Sequence, residues 1–135
     1  MCLFTHATAG AVAGALAPNP FLAALFGLAS HVVLDVLPHY DFTKMRHDFL
    51  FALVAIAAVA LSGAFGVNVF LGMLFGLLPD LENLLWKLGV IRDDQKIFPG
   101  HRKLVPHGMV TGAWNLSIQA AFTVCAVVFL IRRGA

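Results

Sequence analysis

The chain has 135 residues, enough for one domain. It is 60% hydrophobic and only 12% charged, with a mean hydropathy of +0.87. Soluble domains carry about 25% charged residues, so the composition excludes an ordinary soluble domain and points to an integral membrane protein; the net charge of +2 is too small to suggest a nucleic-acid partner.

Hydrophobic runs predict an all-α protein, a single membrane-embedded domain of five helices. The first covers about 3–17 and ends at "PNP". Its "ALA" before Pro18 faintly suggests a leader-peptide cleavage site, but no Lys or Arg precedes it. The helix is therefore expected to be retained. Its small-residue run "TAGAVAGA" suits close helix packing rather than a phosphate loop. The second helix covers about 20–37, followed by the polar loop "PHYDFTKMRHD". The third covers 49–65 and the fourth 68–88, with a turn between them. A second polar loop, "GVIRDDQKIFPGHRKLVP", leads to the fifth, about 107–131. Spanning takes roughly 20 apolar residues, about 17 at the short limit. The fifth helix meets this easily, the second and third are borderline, and the first and fourth are open to doubt. Cys2 and Cys125 belong to no paired motif, so neither a disulfide nor a zinc knuckle is expected.

An internal repeat joins the segments. "NPFLAALFGLASH" (19–31) and "NVFLGMLFGLLPD" (68–80) align without a gap and are identical at seven of thirteen positions. Residues 3–37 and 49–88 then read as two copies of one helical hairpin, with 107–131 as an added helix. The alignment sets His31 opposite Asp80, and sites are often built where such repeats meet.

With five spans, Lys44, Arg46, Lys87, Arg92, Lys96, Arg102 and Lys103 share one face, and only Arg132 and Arg133 lie on the other. The positive-inside rule makes the first face cytoplasmic, with the N-terminus inside and the C-terminus outside. All six His and all seven acidic residues fall on or near that same half.

His31 and Asp35 are four apart and share a helix face. His6, Asp80 and His107 come from three other helices. At 1.5 Å per residue, His31 and Asp80 lie about 17–18 Å along their helices, below the cytoplasmic surface. Intramembrane ionisable groups are costly and mark functional sites by default. Mixed His and carboxylate donors suit a divalent ion, zinc first, with manganese or iron as alternatives. Pro79 is expected to break the fourth helix and aim Asp80 inward. Asp48, Asp93, Asp94, Lys44, Lys96 and His47 read as solvated loop groups. Trp86, Trp114 and Tyr40 read as interfacial anchors.

The sequence lacks G-x-S-x-G, H-E-x-x-H and a Walker loop, which leaves metal-activated water as the chemistry. Glu82 is a candidate general base, and Arg102 a candidate clamp for an anionic oxygen. His39 and Asp41 are rim groups at the mouth.

The ordered pieces "TH", "SHVVLDVLPHYD", "GLLPDLEN" and "HRKLVPHG" resemble the YdjM-like family, LexA-linked inner-membrane metal-dependent hydrolases, over roughly residues 5–110. The pattern is also loosely similar to that of zinc-dependent phospholipases C. The resemblance implies His6, His31, Asp35, Asp80 and His107 as metal-site residues. It sets His39, Asp41, His101 and Arg102 at the other polar positions. The chain departs from the family at Pro106-His107-Gly108 and at Glu82-Asn83. A membrane-embedded hydrolase of a phosphoester or lipid-like substrate is the leading expectation, with membrane lipids as partners. A metal or solute transporter is the alternative, with Thr111, Asn115, Ser117 and Gln119 as its polar path. A non-catalytic scaffold with a structural metal is the third.

Overall fold

A computed structural model describes residues 2–102, 104, 108 and 112–134, the Ala113 side chain excepted. Among the described residues there are five α-helices and no strand. They are α1 (Leu3–Leu16), α2 (Pro20–Val36), α3 (Met45–Ala60), α4 (Val67–Lys87) and α5 (Ala113–Gly134). A 3-10 turn at Asp93–Gln95 lies between α4 and α5.

The local signals are conventional. Asn19 caps α2, its side chain accepting from the Leu22 N–H at 2.9 Å, and Pro20 occupies the first turn, where its missing N–H costs nothing. α3 starts at Met45 and ends at Ala60, against an expected 49–65. No residue in 45–48 breaks a helix, and Gly63, at φ 78°, turns the chain away soon after the end. α5 starts at Ala113 rather than near 107, after Gly112 at φ 148°. Pro79 does not break α4, which runs unbroken for 21 residues. The proline removes one donor, but α4 is held on both sides by α1 and α2, and that packing carries the helix through.

α1 is central and packs against the other four helices. α2 and α4 also pack on each other, whereas α3 packs on α1 and α5 and is not substantially packed on α4. The second expected hairpin is therefore open, because α1 takes the place beside α3. One apolar core joins Ala7 and Ala11 of α1 to Val59 of α3, Val69 and Met73 of α4, and Leu130 of α5.

Glycine controls the α1–α4–α2 contact. A Cβ on Gly72 would strike the backbone of Gly10 and Gly14, and one on Gly27 would strike the backbone of Gly72. A Cβ on Gly76 would meet the His6 carbonyl oxygen at 2.9 Å. Three helices thus meet backbone to backbone, with α4 in the middle. The buried residues of α2 are Ala23, Gly27, His31 and Asp35, a strict four-residue spacing that makes one face. That face begins with small residues and ends with ligand-type ones.

Two helices, α4 and the 114–134 stretch of α5, are long and apolar enough to cross a membrane. Large apolar side chains such as Phe21, Leu53, Leu61 and Trp114 face outward.

Replacing Gly72 by Val should cost about 1–3 kcal/mol or more, as overpacking does. Gly66→Ser, at an open helix N-cap with nothing within 4 Å of a new Cβ, should leave the melting temperature unchanged or slightly raised. Thermal melts of the two variants in one detergent test the contact; equal melting points would contradict it.

Candidate metal centre

The glycine contact sets α1 antiparallel to α4, and α2 parallel to it, so the polar ends of all three arrive together. His6 is one turn from Gly10, His31 one turn from Gly27, and Asp80 one turn from Gly76. The His6 and His31 rings stack, with centroids 3.9 Å apart. His6 Nε2 lies 3.2 Å from Asp35 Oδ1, and His31 Nε2 lies 3.1 Å from Asp35 Oδ2. Asp80 Oδ2 is 3.9 Å from both His6 Nε2 and His31 Nδ1. Both histidines are fully buried, Asp35 nearly so, and Asp80 is 17% exposed at its side chain.

A fifth group comes from the loop after α4. His101 joins His31 and Asp80 in a second grouping, while His6, His31 and Asp35 form the first. In each, one donor atom per residue lies within 4.8 Å of the others. The groupings share His31 and make one continuous cluster. Phe98 closes it, its ring edge-on to His31 at 5.1 Å.

The histidines are oriented from behind. His31 Nδ1 is 2.8 Å from the Gly76 carbonyl, which only accepts, so Nδ1 carries the proton and Nε2 the lone pair. His101 Nδ1 sits 3.1 Å from Glu82 Oε2 and donates to it, which turns the lone pair to Nε2. That lone pair is 2.8 Å from Asn83 Nδ2. Burial holds the His101 imidazole below its ordinary pKa, against the pull of Glu82.

Glu82 does more than hold His101. Its carboxylate also accepts the Ile97 and Phe98 backbone N–H groups. Lys96 adds a second tie to α4, its ammonium 3.7 Å over the Trp86 ring and 2.8 Å from Asp93. Lys96 is buried, not a solvated loop charge as expected.

The N-terminal end of α1 is fixed by two residues that sequence reasoning placed elsewhere. Asp48 Oδ1 accepts the Leu3 N–H at 2.9 Å, satisfying an orphan donor of the first turn. Gln119 of α5 is buried; its Oε1 accepts from Cys2 N and Thr5 Oγ1, and its Nε2 donates to the Tyr40 carbonyl. Gln119 is thus committed to a helix end. An amide well inside the apolar α5 was the available signal. For Asp48 there was none, because Leu3 is distant in sequence.

The other expected residues lie around the cluster. His39 is buried, its Nδ1 donating to the Leu37 carbonyl at 2.7 Å and its Nε2 3.6 Å from Asp41 Oδ2. His39 N–H donates to the Gly108 carbonyl and Gly108 N–H to the Asp35 carbonyl, tying that loop to the end of α2. Arg102 is exposed. His107 lies outside the described residues, as do Pro106, Lys103 and Thr111. The Cys2 thiol donates to the Tyr40 carbonyl, and burial pushes its pKa up to about 12, which removes it as a nucleophile.

The donor set fits a divalent ion. His6 Nε2, His31 Nε2 and Asp80 Oδ2 are buried and make no hydrogen bond. Such groups are rare unless something else satisfies them. Separations of 3.1–3.9 Å fall inside the about 4.2 Å that two donors, each about 2.1 Å from one ion, can span. Two carboxylates among neutral imidazoles balance a 2+ charge.

A cleft of about 410 Å³ runs between α3 and α4. Asp80 lines it, and so joins the cleft to the cluster.

No family model, curated protein or solved structure matches the chain.

An ion held here predicts that His31→Ala and Asp35→Ala protein loses bound metal in elemental analysis, while Arg102→Ala keeps it. Glu82→Gln, which weakens the support of His101, should reduce zinc affinity about 10–100-fold in a chelator competition, as lost outer-shell partners do.

Proposed function

We propose that the protein is a membrane-embedded, metal-dependent hydrolase acting on a phosphoester or lipid-like substrate. The observation that carries this reading is the buried cluster of His6, His31, Asp35 and Asp80, in which His6 Nε2, His31 Nε2 and Asp80 Oδ2 are left without a hydrogen bond. Such a cluster is too costly to keep for packing alone. Its ion would polarise an ester oxygen and acidify a water molecule. Zinc is the first choice, with manganese or iron next.

The remaining roles follow from position. His31, His6, Asp35 and Asp80 would hold the ion, and His101, held by Glu82 and Asn83, flanks them on the loop side. Glu82 is a positioning residue, because its oxygens already hold two backbone N–H groups and His101. Proton handling passes instead to the His39–Asp41 pair, since Asp41 lines the cleft beside Asp80. The exposed Arg102 is free to meet an anionic group at the surface.

Membrane insertion is supported by the two helices of spanning length and by the apolar surface around the bundle. The cytoplasmic face is assigned from the Lys and Arg asymmetry. The order of the motifs adds the resemblance to YdjM-like inner-membrane hydrolases. The transporter reading is weakened by Gln119, the strongest polar residue of its supposed path, which caps α1.

The purified protein, loaded with zinc, should cleave members of a phosphoester and phospholipid panel, and Asp80→Asn should lower turnover by at least about 100-fold. Metal uptake into proteoliposomes without any hydrolysis would favour transport instead. Reporter fusions should place the N-terminus inside and the C-terminus outside.

A further inference from the structure

We propose that the cleft between α3 and α4 receives the acyl chain of a zwitterionic phospholipid, which slides in sideways from the surrounding leaflet and brings its headgroup ester to Asp80. The proposal rests on the hydrolytic reading of the cluster and names its substrate class.

Three observations converge. First, α3 and α4 are sequence neighbours without substantial packing on each other, and a cleft opens between residues 45–56 of α3 and 77–87 of α4. Its walls at one end are Ala52, Leu53 and Ile56 on α3, and Leu77 and Leu81 on α4. Leu53 is 64% exposed and Leu81 47% exposed, which leaves the slot open to the side. An aqueous ligand gains little from such walls, whereas an alkyl chain loses its contact with water or exchanges one apolar neighbour for another.

Second, the slot changes character along its length. Lys87 lies ten residues beyond Leu77 on α4, about 15 Å away at 1.5 Å per residue. Asp41, Asp48 and Lys87 line the polar end. A cation and carboxylates side by side complement a headgroup with a phosphate and an ammonium. A purely anionic headgroup would meet the carboxylates unfavourably.

Third, Asp80 stands between the slot and the cluster. It lines the cleft and sits 3.9 Å from both His6 and His31. A chain lying against Leu77 and Leu81 therefore places its headgroup next to the donor atoms. The balanced reaction is hydrolysis: the oxygen of a water molecule bonds to phosphorus, one phosphorus–oxygen ester bond breaks, and the leaving alcohol takes a proton that the water gives up.

Ala52→Phe and Leu53→Trp would fill the slot from the wall opposite Asp80. Native mass spectrometry of detergent-purified protein, incubated with a dipalmitoyl zwitterionic phospholipid, reads occupancy. Elemental analysis reads zinc, and a soluble aryl phosphodiester reads the chemistry without an acyl chain. Both variants should lose about tenfold or more in lipid retention and phospholipid turnover. Zinc content and soluble phosphodiester turnover should stay at the wild-type level. Lipid retention equal to wild type in both variants would overturn the proposal, even if hydrolysis persists. Lower retention in both variants, with no turnover of either substrate by wild type, would uphold the cleft and defeat the hydrolytic reading. Equal preference for a purely anionic phospholipid would overturn the headgroup assignment.

Discussion

Everything distinctive in this protein depends on backbone-to-backbone contact between α4 and its two neighbours. Gly72 touches Gly10 and Gly14 on one side and Gly27 on the other, and Gly76 lies against the His6 carbonyl. Residues of this size are what allow the close approach, because any side chain here would meet the backbone of the next helix. One turn further along each helix come His6, His31 and Asp80. A larger residue at Gly72 would push the helices apart and separate the donor atoms. The stripe of glycines is thus a structural requirement of the cluster.

The second constraint is orientation. Two histidines of the cluster have Nδ1 fixed by an acceptor, His31 by the Gly76 carbonyl and His101 by Glu82. His31 thereby presents Nε2 inward, as metal-ligating histidines do, while His101 Nε2 is met by the Asn83 amide. The Gly76 carbonyl belongs to the same glycine that admits α1, so packing and tautomer are set by one residue. Glu82 links the loop to α4 through Ile97 and Phe98, and Phe98 then covers His31. Residues 96–98 are thus tied to α4 twice, by Glu82 and by Lys96 on Trp86.

Much of this was legible in the residues. The spacing of His31 and Asp35 placed both on one face, and the repeat set His31 against Asp80; the structure brings these residues together with His6 and His101. Helix limits were legible where capping chemistry is strong, as at Asn19 and Pro20. They were missed at α3, where no cap residue marks the start. The repeat misled in one respect. Similar helices 2 and 4 suggested two equal hairpins, yet α2 and α4 share α1 as a partner, and α3 packs on α1 and α5 rather than substantially on α4. Pro79 suggested a break because propensity is local, and packing on both sides overrode it. The caps from Asp48 and Gln119 join residues distant in sequence, and no local pattern encodes them.

The central claim is that a divalent ion sits among His6, His31, Asp35 and Asp80. Crystals of zinc-loaded protein, measured above and below the zinc absorption edge, test it most directly. The account predicts an anomalous peak at about 2.0–2.2 Å from His31 Nε2 and an Asp35 oxygen. A map with no peak in the cluster, or with its peak at surface histidines such as His47, would contradict it.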